Sequence, residues 1–181
     1  SRRIQLGFLA LPIVGAYPLM KRITFWPQAF LGLAMNYGVL LGHAATTGVT
    51  PWADPAAAAP ALLLYGAGVA WTLVYDTLYA HQDKADDARL GLKSTALRLG
   101  ERLTKPALFG FTAAFAALTS AAGVAADLAW PYYLASLASS AHLAYQVHTA
   151  DLDDRLNLND RFVSNRLTGA LLFAGLVGGA W

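Results

Sequence analysis

The sequence contains no cysteine and little charge, and each shortage argues against a class of function. Without cysteine the chain has no disulfide, no thiolate metal ligand, no iron–sulfur cluster and no thiol nucleophile. Charged residues make up 13% of the chain and hydrophobic residues 56%, whereas a soluble domain averages about 25% charge. A net charge of only +2 argues against a nucleic-acid-binding protein, since phosphate recognition needs clustered Lys and Arg. So little charge cannot cover the surface of a soluble monomer.

What the sequence has instead is a series of long apolar runs. Most of them reach the roughly 17–25 residues that a helix needs to cross about 30 Å of hydrocarbon. The alternative is a soluble bundle of buried helices, but these runs leave too few amphipathic helices to face water. We therefore predict an all-α, multi-pass transmembrane helix bundle with about six spans, as one membrane-embedded domain over residues 1–181. The runs cover residues 4–20, 25–45, 57–80, 106–126, 130–150 and 167–181.

Basic residues are concentrated on one face of this predicted bundle. With alternating spans, the connections near residues 21–24, 81–105 and 150–166 share a face, and every Lys and Arg except Arg2 and Arg3 falls there. The positive-inside rule places this charged face in the cytoplasm, or in the matrix of an organelle. The Ala-rich composition favours a bacterial inner membrane, with the mitochondrial inner membrane as the alternative.

Carboxylates cluster where the third apolar run ends. Around a continuous helix at 100° per residue, Asp83 and Asp87 both lie within about 20° of the direction of Asp76 and form one stripe with it. An acid inside the membrane is costly and therefore indicates function. Oxygen-rich sites suit Mg²⁺, which takes one or two carboxylates and shares its other positions with water and substrate phosphates. Lys93 follows shortly after the stripe, so the pattern favours a metal–diphosphate pocket; a solvated loop whose Asp and Lys pair together is the alternative.

The same stretch resembles a known family signature. Residues 75–87, Tyr-Asp-Thr-Leu-Tyr-Ala-His-Gln-Asp-Lys-Ala-Asp-Asp, followed by residues 91–96, Gly-Leu-Lys-Ser-Thr-Ala, look like the second aspartate-rich motif of the UbiA prenyltransferase superfamily. The order of these residues resembles the motif of the 4-hydroxybenzoate polyprenyltransferase branch in particular. Residues 17–24, Tyr-Pro-Leu-Met-Lys-Arg-Ile-Thr, and the pair Pro27-Gln28 resemble that branch as well.

This resemblance implies a membrane enzyme of about nine spans, in which two aspartate-rich motifs hold Mg²⁺ against an allylic polyprenyl diphosphate. Asp83 and Asp87 match the DxxxD pair of the second motif, and Asp76 matches the acid that opens it, so all three are expected metal ligands and catalytic residues. The first motif, NDxxDxxxD, has no counterpart here, because Asn36 has no Asp after it and the acids at 151–154 lie too far along the chain. We therefore expect a chain truncated at its amino-terminal side, with little activity alone.

The expected reaction transfers a polyprenyl group to the ring carbon ortho to the hydroxyl of 4-hydroxybenzoate, as in ubiquinone biosynthesis. Lys93, Lys21 and Arg22 are candidate diphosphate contacts on the charged face. Tyr75 and Tyr79 are candidates to shield a carbocation with their ring faces, with interfacial anchoring as the alternative. Besides these two substrates and the lipid bilayer we infer no partner, neither a nucleic acid nor an obligate protein.

Three alternatives remain open at this point. The chain could be a UbiA relative with another acceptor, such as a naphthoate, homogentisate or haem. It could be a transporter or cation-binding membrane protein whose Asp stripe binds a coupling ion, without any diphosphate chemistry. It could also be an inactive partial chain that keeps only the fold. The histidines lack the i, i+4 spacing of a zinc helix and are expected to be core or interfacial residues.

Overall fold

The computed structural model describes residues 2–181, with side chains from residue 6 onward, and this range is helical throughout apart from short connections. The all-α prediction is confirmed. A single-turn 3₁₀ segment, His81–Asp83, joins the fourth helix to the fifth. The α-helices of this range are α1 Arg2–Ile23, α2 Pro27–Met35, α3 Gly38–Thr47, α4 Ala59–Ala80, α5 Lys84–Arg89, α6 Thr95–Ala125, α7 Trp130–Thr149 and α8 Arg155–Gly179.

Within residues 2–181, four segments are long and apolar enough to cross a bilayer: Leu6–Ile23, Ala59–Arg89, Thr95–Ala125 and Arg155–Gly179. The multi-pass prediction is confirmed, but two of the six expected spans differ. The run 25–45 forms α2 and α3, whose 9 and 10 residues are each too short to span. The run 130–150 forms α7, which is 20 residues long and is not among these four segments.

Asn36 lies at the break between α2 and α3 and holds this segment against α4. Its Nδ2 donates hydrogen bonds to the carbonyl of Gly32, at 2.8 Å, and to Oγ1 of Thr72, at 3.0 Å. A Cβ on Gly32 would lie 3.1 Å from the Cα of Val69. The glycine thus allows α2 to approach α4 closely, and the hydrogen bond to Thr72 ties the broken segment to α4.

Helix α4 is the centre of the bundle. It packs against α6, α2 and α8, while α7 packs mainly on α8. By contrast, α1 exposes Phe8, Leu11 and Val14, as a helix facing lipid should. The main core is formed by apolar side chains of α4, α6, α7 and α8, namely Val74, Leu78, Leu108, Phe115, Leu143, Val147 and Leu158.

Helix α6 is kinked near its start. Gly100 has φ 61° and ψ −173°, a conformation that side-chain-bearing residues rarely adopt. The helix begins at Thr95, well before the predicted run 106–126, because Ser94 caps it by accepting a hydrogen bond from the Leu97 N–H at 3.3 Å. The kink sets this first turn apart from the long helix and leaves it against the junction of α1 and α2.

Candidate functional site

A small polar cavity lies where α1, α2 and the end of α4 meet. Its volume is about 120 Å³, room for more than one water-sized group. We call it the carboxylate cavity, and its lining residues are Tyr17, Lys21, Gln28, Asp76, Tyr79, Ala80 and Asp83.

Asp76 and Asp83 reach the carboxylate cavity from different elements. Asp76 lies on α4, half-buried, whereas Asp83 is exposed and ends the 3₁₀ turn. The expected single helical stripe is therefore wrong in its geometry, because α4 ends at Ala80 and the tighter turn follows. The two carboxylates nevertheless line the same cavity, because the turn keeps the chain beside the end of α1.

The third carboxylate, Asp87 on α5, joins the site through Lys21. Asp87 is 4% exposed, and the Lys21 Nζ lies 3.2 Å from both of its oxygens. Lys21 also lines the carboxylate cavity. One ammonium group therefore neutralises the buried acid and stands beside the other two, which reduces the repulsion among the three carboxylates.

The other predicted cations lie outside the cavity lining. Arg22 is exposed. Lys93 is half-buried; its Nζ donates to the carbonyl of Ile23 at 3.1 Å and lies 5.5 Å from the centroid of the Phe25 ring. Of the three candidate diphosphate contacts, Lys21 lines the carboxylate cavity, whereas the segment that carries Lys93 packs against the α1–α2 junction. A role for Lys93 or Arg22 in diphosphate binding remains a prediction.

The predicted tyrosines border a second, larger opening. This apolar groove has a volume of about 470 Å³ and lies between α2, α4 and α8. Tyr75 lines the groove and Tyr79 lines the carboxylate cavity. Both rings pack on Phe162, with centroids 5.5 Å and 4.6 Å apart. Three aromatic rings therefore stand between the cavity and the groove, whose lining is Met35, Asn36, Trp71, Thr72, Tyr75, Phe162, Val163, Asn165, Arg166 and Gly169.

A buried chain of hydrogen bonds supports the groove from behind. Trp71 Nε1 donates to Asn165 Oδ1 at 2.8 Å, and Asn165 Nδ2 donates to Gln146 Oε1 at 3.1 Å. These contacts join α4, α7 and α8 and fix one wall of the groove. Trp71 had no distinguishing signal in the sequence. Tyr17 and Gln28, which line the carboxylate cavity, fell inside stretches that resembled the family but were assigned no role.

The donor set of the cavity fits a Mg²⁺ ion that arrives with a diphosphate. Asp76 and Asp83 offer carboxylate oxygens, and Tyr17 and Tyr79 offer hydroxyls. Among the side chains of residues 6–181, no three His, Cys, Asp or Glu residues lie close enough together to hold a metal ion by themselves. Mg²⁺ commonly takes one or two carboxylates and leaves its other positions to water and substrate phosphates. The residues therefore suit an open, substrate-shared ion rather than a closed structural site.

Three further polar residues, His81, His142 and Asp154, have structural partners. His81 is buried, with Nε2 3.0 Å from Thr104 Oγ1, and His142 Nδ1 lies 2.7 Å from Thr168 Oγ1. Both agree with the expectation of core histidines. Asp154 caps α8, because its side chain accepts hydrogen bonds from the backbone N–H groups of Leu156 and Asn157.

The sequence profile of the UbiA prenyltransferase family matches residues 3–179, so the chain belongs to that family. The mitochondrial 4-hydroxybenzoate polyprenyltransferase of Mus musculus is 51% identical over 174 residues, covering 96% of this chain and 45% of that protein. The protein of the same name in Arabidopsis thaliana is 49% identical over 174 residues, covering 95% of this chain and 40% of that protein.

The chain thus spans less than half the length of these curated relatives. Their names are mitochondrial, so they give no support to the expected bacterial membrane. The fold is also similar to the solved structure of a UbiA homolog from Aeropyrum pernix K1 without ligand. The TM-score is 0.75 at 22% identity, over 96% of this chain and 62% of that one. At this identity the likeness concerns the fold.

Proposed function

We propose that this chain forms the diphosphate-binding part of a 4-hydroxybenzoate polyprenyltransferase. The observation that carries the proposal is the carboxylate cavity, in which Asp76 and Asp83 stand beside Lys21, directly next to an aromatic border and an apolar groove. The acceptor comes from the names of the relatives, which are about half identical to this chain. A first aspartate-rich motif would be supplied by a part of the protein outside residues 1–181.

Some side chains of the carboxylate cavity bind the diphosphate directly, and others bind the Mg²⁺ ion. Lys21 and the hydroxyls of Tyr17 and Tyr79 are donors for its oxygens, and Asp76 and Asp83 offer the ligands for Mg²⁺. When bound, Mg²⁺ supplies neutralisation of the charge that develops on the leaving diphosphate. Lys21 is held in place beside it by its ion pair with the buried Asp87.

The reaction joins an allylic carbon to an aromatic ring. The allylic C–O bond breaks, and its electron pair leaves with the diphosphate. The ring carbon ortho to the phenol hydroxyl attacks the resonance-stabilised cation, a C–C bond forms, and the ring proton passes to a base. The products are 3-polyprenyl-4-hydroxybenzoate and diphosphate. Tyr75, Tyr79 and Phe162 lie between cavity and groove, where their ring faces stabilise the cation.

The apolar groove is the route for the isoprenoid chain. Trp71 and Phe162 form its walls, and Met35 and Val163 are exposed on the side of the bundle. A groove open to lipid can take a tail of any length without burying all of it. In this arrangement the diphosphate lies at the charged face, which the positive-inside rule assigns to the cytoplasm or matrix.

The test is prenyl transfer by the full-length protein in membranes, from a polyprenyl diphosphate to 4-hydroxybenzoate, with and without Mg²⁺. Asp83→Asn and Asp76→Asn should each lower kcat/KM by about 100-fold or more, as loss of a strong electrostatic contact does. Asp86→Asn is the matched control, because Asp86 is 58% exposed and pairs with Arg89 and Arg155 outside the cavity. Full activity in both cavity variants, or transfer that needs no divalent ion, would overturn the proposal. Equal or faster transfer to homogentisate or a naphthoate would overturn the acceptor alone.

A further inference from the structure

Gln28 forms one wall of the carboxylate cavity, and the proposed reaction assigns it no role. Gln28 is 3% exposed and lies in the first turn of α2. Its Oε1 accepts two hydrogen bonds from Thr95, from the backbone N–H at 3.0 Å and from Oγ1 at 2.7 Å. A backbone N–H can only donate, so the amide atom that faces it must be the oxygen. Both acceptor positions of that oxygen are then filled, which leaves the amide nitrogen as the donor that Gln28 offers to the cavity it lines.

Thr95 is itself held firmly in place. It is fully buried at the start of α6, directly after the capping residue Ser94. Just before it, the backbone N–H of Lys93 donates to the carbonyl of Lys21 at 2.7 Å, and the Thr95 hydroxyl lies 3.3 Å from the carbonyl of Phe25. Residues 93–95 are therefore hydrogen-bonded to residues 21–28, and this one stretch, 93–95, positions both Lys21 and Gln28.

We propose that the amide nitrogen of Gln28 donates a hydrogen bond to the diphosphate in the carboxylate cavity, and that Thr95 is the positioning residue that aims it. A neutral donor suits this place, because it contacts the phosphate oxygens without pairing with Asp76 or Asp83 as a further cation would. The Lys-Ser-Thr stretch then contributes to the site through Gln28. The inference rests on the proposed function for the identity of the occupant, a diphosphate.

Gln28→Glu is the sharpest test of the donor. The new side chain keeps an oxygen for Thr95 but replaces the NH₂ group with a negatively charged oxygen. The probe is inorganic pyrophosphate with Mg²⁺, whose Kd is measured by calorimetry on the full-length protein in nanodiscs. The Kd should rise about 10- to 100-fold, as for loss of a hydrogen bond to a charged group, and it is measured below the unfolding temperature of each variant, which the buried carboxylate lowers. Gln82→Glu is the control for added charge, since Gln82 lines a different cavity and its Nε2 has no hydrogen-bond partner among the described residues.

Thr95→Val and Thr95→Ser test the positioning role. Valine removes one of the two hydrogen bonds to Gln28 and should raise the Kd of pyrophosphate about 3- to 10-fold, whereas serine restores the hydroxyl and the affinity. Thr112→Val is the control, because Thr112 is buried on the same helix and its hydroxyl bonds to the carbonyl of Leu108. If Thr95 had a purely structural role, valine would lower the unfolding temperature and leave the Kd of the folded protein unchanged.

The outcomes separate this inference from the proposed function. Pyrophosphate binding by Gln28→Glu at the parental affinity overturns the inference, even if prenyl transfer to 4-hydroxybenzoate is confirmed. Weakened pyrophosphate binding in a protein that does not prenylate 4-hydroxybenzoate supports the inference and overturns the proposed acceptor. If Gln28→Glu fails to insert into the membrane, the Thr95→Val and Thr95→Ser pair decides, and equal affinities in both would overturn the inference.

Discussion

Replacing Lys21 by methionine should destabilise the folded protein through the carboxylate it leaves behind. The Lys21 ammonium lies 3.2 Å from both oxygens of Asp87, whose side chain is only 5% exposed. Removing one partner of a fully buried ion pair costs about 3–5 kcal/mol, because the other charge stays buried and uncompensated. The Lys21 side chain is 30% exposed, so water already screens part of the pair. We therefore expect a loss of about 2–3 kcal/mol in the free energy of unfolding.

A second lysine of the same chain offers a closely matched control. Lys84 pairs with Glu101 at 2.9 Å, and the Lys84 side chain is 29% exposed, almost as much as that of Lys21. Its partner Glu101, however, is 67% exposed and can be solvated when the lysine is gone. Lys84→Met should therefore change the free energy of unfolding much less than Lys21→Met does. The two variants differ chiefly in the burial of the carboxylate left unpaired.

The measurement is equilibrium unfolding of the full-length protein in mixed micelles, followed by circular dichroism as SDS is added. Adding Asp87→Asn to Lys21→Met should recover a large part of the loss, because the double variant buries no charge. Equal destabilisation by the two lysine variants would refute this reasoning, and so would a double variant no more stable than Lys21→Met alone.

Three further substitutions probe the backbone, the aromatic border and the core. Gly100→Ala should lower the free energy of unfolding by about 1–3 kcal/mol, because φ 61° with ψ −173° is strained for alanine. Gly110→Ala is the control: the space around Gly110 is equally open, and the change should be neutral or stabilising by up to about 1 kcal/mol. Similar values for the two variants in the unfolding assay would contradict this. Phe162→Ala removes two ring contacts worth about 0.5–1.5 kcal/mol each. It should lower kcat/KM about tenfold, and an equal drop with Phe173→Ala, on a side chain 69% exposed, would argue against a role for the border. Gly123→Ala places a Cβ 2.5 Å from the ring of the buried Tyr132 and should cost about 1–3 kcal/mol; an unchanged unfolding curve would show that the ring can shift freely.

The amino-acid sequence was sufficient to predict the properties that depend on local composition. Hydropathy summed over a window predicts helices that cross lipid, and the positions of Lys and Arg predict the charged face. The residue types of the aspartate-rich stretch were sufficient to choose Asp76, Asp83 and Asp87 as candidates, since the chemistry of an ion–diphosphate site depends on which oxygens are present. Apolar content alone did not reveal that the run 25–45 breaks at Asn36, where the side chain bonds to the Gly32 carbonyl and to Thr72.

The tertiary structure alone decided which of these residues meet. Lys21 and Asp87 are 66 positions apart, and Gln28 and Thr95 are 67 apart. Periodicity relates residues a few positions from one another and carries no information at that separation. The same limit explains why the sequence does not separate Lys21 from Arg22 and Lys93, although only Lys21 lines the carboxylate cavity within the described part of the chain. Helix packing brings the end of α1 beside the end of α4, and this places the ammonium of Lys21 among the three acids.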